Sequence, residues 1–237
     1  MKPTSQLPRL LVLALLIAAS ALLLGCGRTA GKQQRNDLLS LFRKAQSDVS
    51  LGDMDAARDK FQRVVNNTSD ARVRVAALFN IADAYYGGRQ WEEAQFYYKR
   101  FLDLYPQHEL AAKAHYRMGM VNFRQIRKAD RDQTFTKKAL EEFRVVARNY
   151  KKSSFAADAE QKIVFCRNRL AEYEQYVGMF YYRQKKYRAA RLRLNYVVEN
   201  YPDFAEIDQT YFYLGDSLIR QKDTERLAEI LERLQDH

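Results

Sequence analysis

The sequence predicts an all-α protein, a superhelix of five helix-turn-helix repeats behind an amino-terminal export segment. From Asp37 onward, apolar residues recur at spacings of three and four with no alternating strand pattern. One short signature occurs four times along the chain. Glycine and proline are scarce, nine and four in 237 residues, and three of the glycines and two of the prolines fall within the first 31, which argues against a turn-dense all-β fold. At 47% hydrophobic and 13% aromatic residues there is ample material for a core despite 29% charged residues. Two cysteines 140 positions apart exclude a disulfide-stapled mini-domain and any four-thiolate metal site.

Lys2 and Arg9 precede an apolar run from Leu10 to Leu24 whose one polar member is Ser20. Its 15 residues suit the apolar stretch of a signal peptide. They fall short of the roughly 20 that a spanning helix needs. Leu23-Leu24-Gly25-Cys26 follows and resembles the lipobox of bacterial lipoproteins, although Leu24 departs from the small residue usual at that place. The resemblance implies removal of residues 1–25 and a Cys26 that carries a thioether-linked diacylglycerol and an N-acyl chain. The net charge then falls from +11 to +9 as Lys2 and Arg9 leave. One acyl chain binds a bilayer only marginally, at about 0.8 kcal/mol per buried methylene, so three give a durable anchor. Gly27, rather than an aspartate, implies the outer membrane by analogy with sorting in enteric bacteria. The alternative is a secreted protein in which Cys26 is a free thiol or pairs with Cys166. Residues 26–36 read as a polar linker reaching at most about 30 Å, which keeps the folded body near the membrane.

The repeated signature begins at Gly52-Asp53-Met54-Asp55-Ala56-Ala57 with Phe61 after it, and returns at Gln90-Trp91-Glu92-Glu93-Ala94 with Tyr98. It recurs at Lys137-Lys138-Ala139 with Phe143 and at Lys186-Tyr187-Arg188-Ala189-Ala190 with Leu194. This resembles the start of the second, or B, helix of a tetratricopeptide repeat, whose period is about 34 residues. Alanine permits two helices to cross closely, and the large residue four positions on fills the gap between repeats. On the first, or A, helices Ala82, Gly119, Gly178 and Gly215 hold the small position, after Ile81, Met118, Val177 and Leu214. Tyr105-Pro106 and Tyr201-Pro202 close repeats two and four, since proline cannot continue a helix interior. The units run over about 38–71, 75–108, 112–153, 171–204 and 208–237; the alternative is an irregular helical bundle.

Gly119 to Ala139 spans 20 residues where Gly178 to Ala190 spans 12, so repeat three carries a loop insertion around Lys128–Phe135. Apolar residues from Ala156 to Phe180 keep steps of three and four, which predicts one helix from Phe155 to about Gln184, about 45 Å long. Cys166 lies on its apolar stripe as a buried small hydrophobe. The expected modules are residues 37–153, holding repeats one to three, and 154–237, holding the long helix and repeats four and five.

No reactive centre is legible. His108, His115 and His237 form no HExxH arrangement, and no phosphate-binding glycine loop or GxSxG elbow occurs, so no active site and no cofactor are expected. Binding is left to carry the function. Tetratricopeptide solenoids bind along the concave face lined by their A helices. In that frame Phe42, Gln46 and Val49 of repeat one and Phe79, Asp83 and Tyr86 of repeat two line a trough for an extended peptide; the alternative is that Phe42 and Phe79 pack as core. Arg183, Lys185, Lys186, Arg188, Arg191 and Arg193 form a run without an acid, and a second basic stretch lies between Arg117 and Lys138. For an exported, acylated chain these suit anionic lipid headgroups, lipopolysaccharide or acidic protein domains rather than nucleic acid, or they are solvated helix faces.

The order of signal, lipobox and repeats, together with the stretches Tyr98–Pro106, Ala114–Gly119, Asp130-Arg131-Asp132 and Asn168–Glu174, resembles the BamD family of outer-membrane protein assembly factors, the ComL-like lipoproteins. The resemblance covers almost the whole chain. It implies a non-enzymatic scaffold on the inner leaflet of the outer membrane, facing the periplasm, that works with BamA and other Bam lipoproteins to fold and insert β-barrel proteins. It places Arg193, counted back from Tyr201-Pro202, with Arg188 and Arg191 nearby, against a POTRA domain of BamA. It also implies that Phe79 and Tyr86 receive the carboxy-terminal strand of unfolded barrel substrates. The other readings are a different tetratricopeptide lipoprotein, either a secretin pilotin or a Tol-associated coordinator, and an accessory to a peptidoglycan enzyme.

Overall fold

A computed structural model of the protein describes residues 31–235. The signal peptide, Cys26 and residues 26–30 of the expected linker lie outside these residues. Ten α-helices follow one another among the described residues, and no strand occurs there. They are α1 (31–51), α2 (Met54–Asn67), α3 (Ala71–Gly87), α4 (Trp91–Leu104), α5 (Ala111–Phe123), α6 (Thr134–Asn149), α7 (Ala156–Arg183), α8 (Tyr187–Asn200), α9 (Ile207–Gln221) and α10 (Thr224–Gln235). Odd-numbered helices are the A helices and even-numbered ones the B helices. Two compact units result, one ending at Gln90 and one beginning at Trp91.

Four of the five repeats share a backbone device at the end of the A helix. Gly52, Arg89, Lys185 and Lys222 all take positive φ, at 84°, 57°, 58° and 58°. Each donates its N–H to the carbonyl three residues back, and the next residue donates to the carbonyl five back, as Lys185 does to Tyr182 at 2.8 Å and Lys186 to Tyr181 at 3.0 Å. This left-handed closure satisfies carbonyls that the helix end leaves open, and it turns the chain into the B helix. Three of the four positions hold a long basic residue where glycine carries no steric penalty. The return from B helix to A helix also repeats. Tyr105, Tyr150 and Tyr201 each donate to the carbonyl four back, and the next two turns close at His108 and Ala111, Ser153 and Ala156, and Phe204 and Ile207.

The signature pairs are the centre of the packing. Ala57 and Phe61, Ala94 and Tyr98, Ala139 and Phe143, and Ala190 and Leu194 are all fully buried. Two of the small A-helix positions admit the large member closely: a Cβ on Gly119 would stand 2.7 Å from the Phe143 ring, and one on Gly178 would stand 2.8 Å from Leu194, whereas one on Gly215 would make an ordinary contact of 3.8 Å with Leu227. Each such buried side chain is worth about 1.5–3 kcal/mol over its exposed state.

In the first unit α2 packs along α3. Asp53 caps α2 through the Ala56 N–H at 3.0 Å, and Asp70 caps α3 through the Arg72 N–H at 3.0 Å. Residues 31–36, expected as linker, are the first turns of α1, with Gln33 donating to Asp37 at 3.0 Å and Arg35 paired with the α3 cap Asp70 at 2.9 Å. Lys32, Gln33, Gln34 and Arg35 are good helix formers, so this stretch is helical without presenting any apolar face.

In the second unit α7 packs against both α6 and α8 and touches α9. Its 28 residues form one unbroken helix. Gln175, buried in it, donates to the Thr210 hydroxyl at 3.1 Å, and Asn168 accepts the Ala205 N–H at 3.0 Å, so α7 is fastened to the start of α9 and the turn before it. Cys166 is buried on the stripe, and burial pushes its thiol up to about 12. The insertion between α5 and α6 is held by one buried side chain: Gln133 donates to the carbonyls of Lys128 at 3.0 Å and Arg131 at 2.9 Å and accepts from the Thr136 hydroxyl at 2.8 Å.

Candidate functional site

The side chains expected to line the amino-terminal trough lie on α1 and α3. Phe42 is half-buried and set edge-on against Phe61 at 5.3 Å, so much of its ring belongs to the packing. Phe79 is only 2% exposed and is a core residue rather than an open contact for a guest. The cause is that α3 is buried on most of its circumference, through Val75, Ala77, Leu78, Ile81, Ala82 and Ala84 besides Phe79. Gln46 is exposed, and Val49, Asp83 and Tyr86 are half-buried. The surface that this set offers is therefore more polar than the sequence suggests.

The three arginines of α8 separate. Arg188 is exposed and carries no ion pair among the described residues. Arg191 has a side chain only 16% exposed and is paired with Asp223 at 2.8 Å, where it straps α8 to the start of α10. Arg193, on the other side of α8, is 48% exposed and bonded to Glu174 of α7 at 2.8 Å. That hydrogen bond, more than the accompanying attraction between the charges, holds the guanidinium more firmly protonated than usual. One edge of its fork is engaged and the rest faces solvent.

Sequence reasoning passed over Leu192 and Tyr196, which are exposed at 63% and 44%. The buried set Ala190, Leu194, Val197 and Val198 fixes the inner side of α8, and Arg188, Leu192 and Tyr196 then recur every four residues on the outside. Helical periodicity alone could have found this stripe. Two concavities were not legible at all. One, of about 550 Å³, lies between the insertion at Lys128–Asp130 and the side of α7 that carries Arg169, Tyr176 and Met179. The other, of about 260 Å³, lies between α8 and α10 over Leu214 and Leu218.

His108 and His115 act within the fold. His108 Nδ1 accepts the Leu110 N–H at 3.1 Å, and His115 pairs with Glu142 at 2.8 Å across α5 and α6. Among the described residues no group of three or more His, Cys, Asp or Glu side chains is placed to hold a metal ion. No described helix is long and apolar enough to cross a membrane.

Comparison with known proteins adds the lineage. The family model YfiO, described as outer membrane lipoprotein, matches residues 34–225. The outer membrane protein assembly factor BamD of Xylella fastidiosa strain 9a5c is 28% identical over 237 residues, covering 92% of this chain and 81% of its own length. The protein of the same name from Caulobacter vibrioides is 28% identical over 219 residues, covering 90% of this chain and 70% of its own length. A solved tetratricopeptide repeat protein from Parabacteroides merdae aligns over 85% of this chain and 80% of its own at 12% identity with a TM-score of 0.42, too loose a likeness to carry an argument. With the family match running from α1 into α10, the chain belongs to the YfiO outer membrane lipoprotein family.

Proposed function

We propose that this chain is the lipid-anchored scaffold of the β-barrel assembly machinery, a non-enzymatic subunit that holds other polypeptides beneath the outer membrane. The role of outer membrane protein assembly factor follows from the family match over residues 34–225 and from relatives of that name that align over most of both chains. The family match is the observation that carries this reading. The finer assignments are ours. Acylated Cys26 fastens the chain to the periplasmic face of the outer membrane. The carboxy-terminal repeats, through Arg193 with Tyr196, bind a POTRA domain of BamA, other Bam lipoproteins joining the same complex. Gln46, Asp83 and Tyr86, with the free edge of Phe42, receive an extended segment of an unfolded barrel protein. The half-exposed, preorganised Arg193 and the exposed Tyr196 support the BamA contact, because interface cores favour arginine and aromatic side chains.

The test is extraction of the native lipoprotein in mild detergent, followed by identification of the partner that co-purifies in equal amount. A BamA-type subunit is the expected result. A secretin, a Tol component or a peptidoglycan enzyme in its place would overturn the assignment.

A further inference from the structure

The α7–α8 and α9–α10 turns lie side by side at one edge of the second unit. Gln221 lines an open cleft together with Lys185, Lys186 and Arg188. The Arg220 guanidinium stands 6.0 Å from the centroid of the Tyr187 ring, and Arg191 reaches Asp223 at 2.8 Å. Arg183, Lys185, Lys186, Arg188 and Lys222 are exposed there, and none of them forms an ion pair among the described residues. Two acids of the same edge are engaged: Asp223 holds Arg191, and Asp216 holds Arg220 at 3.4 Å and accepts the Tyr182 hydroxyl at 2.6 Å, while Glu225 in the first turn of α10 is exposed.

Two local choices at this edge work against the fold. Lys185 and Lys222 occupy left-handed positions that glycine fills without steric penalty, as Gly52 does in one equivalent turn, while Arg89 takes the same conformation in another. The start of α8 carries Lys186 and Arg188 where α2 carries Asp53 and Asp55 and α4 carries Glu92 and Glu93; α6, like α8, has no acid in its first turn. Cations at the amino end of a helix oppose its dipole. Residues that break local rules are expected at functional or strained sites.

We propose that this edge docks onto anionic phospholipid headgroups. Lysine ammonium groups on flexible stems are point charges suited to a diffuse layer of phosphates rather than to a matched set of carboxylates. Leu192, exposed at 63% and lining the same cleft as Lys185, Lys186 and Arg188, can seat between headgroups as the apolar members of a surface-bound amphipathic element do. The cleft that they line is open to solvent rather than enclosed. The choice of phospholipid rests on the outer-membrane location proposed above, while the assay below reads lipid binding alone.

The probe is the full chain from residue 26 with Cys26→Ser, so that no acyl chain contributes, sedimented with vesicles. Vesicles of equimolar phosphatidylcholine and phosphatidylglycerol are expected to retain it, phosphatidylcholine alone is not, and retention should fall as salt is raised. Each cation at such a surface is worth about fivefold in partition, so K185Q/K186Q/K222Q is expected to lose on the order of 100-fold. Since two of these positions are left-handed, the pair R183Q/K186Q, outside those positions, is measured alongside and is expected to lose about 25-fold. Equal binding to both vesicle types, or a partition unchanged in both variants, overturns the proposal. So does a variant that keeps its vesicle binding but no longer captures a BamA POTRA domain, since the edge would then be a protein-binding surface. Failure here with BamA co-purification intact would leave the assembly role standing.

Discussion

Phe143→Ala is expected to destabilise the carboxy-terminal unit by about 3–5 kcal/mol. The ring is fully buried, and its neighbours cannot close over the space it would leave. Tyr116, with its centroid 5.9 Å away, is stacked on Phe155 at 4.9 Å and donates its hydroxyl to Asp158 at 2.6 Å. Phe123, at 6.0 Å, is packed on Phe165 at 5.0 Å. Gly119 has no side chain to offer. The cavity therefore persists, and its cost adds to the lost transfer energy of the ring. Urea unfolding followed by circular dichroism measures the effect. With a slope of about 1–3 kcal/mol per molar urea, the midpoint should fall by at least about 1 M. Phe212→Ala, at a ring that is 68% exposed, should change stability by less than about 0.5 kcal/mol. Similar midpoints for the two variants would show that the Gly119–Phe143 contact does not organise the repeat.

Arg193→Glu is expected to weaken co-purification of BamA by about 30-fold or more, since removing one member of a hydrogen-bonded charge pair at an interface costs about 2–5 kcal/mol. Glu174 is only 16% exposed, so the single reversal also sets two carboxylates against each other inside this chain. The double variant Glu174→Arg with Arg193→Glu separates the two effects. It restores the internal pair but moves the positive charge from α8 to α7, so stability should return while BamA binding stays low. Unimpaired binding in the single variant would remove Arg193 from the interface. Recovery of binding in the double variant would mean that the pair acts only by holding α7 and α8 together.

The parts of this fold that were readable from sequence are those a helical period carries. The pairs Ala57–Phe61 through Ala190–Leu194, the glycines opposite them and the length of α7 all rest on contacts between residues three or four apart, or on one small residue facing one large one. The left-handed turns were hidden because Arg89, Lys185 and Lys222 stand where glycine would have announced them. The helical character of 31–36 was hidden because an exposed polar helix has no apolar period. The insertion was visible as extra length, but the Gln133 clasp was not, since a single buried amide leaves no pattern. For the binding surfaces the period was a poor guide. It placed Phe79 on the right helix but could not show that nearly all of α3 is buried. The run of arginines in α8 was equally plain, but the roles of Arg191 and Arg193 depend on Asp223, 32 positions away, and Glu174, 19 positions away.

The central claim is that this scaffold has no chemistry of its own and acts by bringing barrel proteins to the machinery that inserts them. Depletion of the protein in growing cells, with folded outer-membrane porins scored by their heat-modifiable mobility, tests it most directly. Folded porins should fall in step with the protein while unfolded forms accumulate in the periplasm. Unchanged levels of folded barrels after depletion would contradict the account.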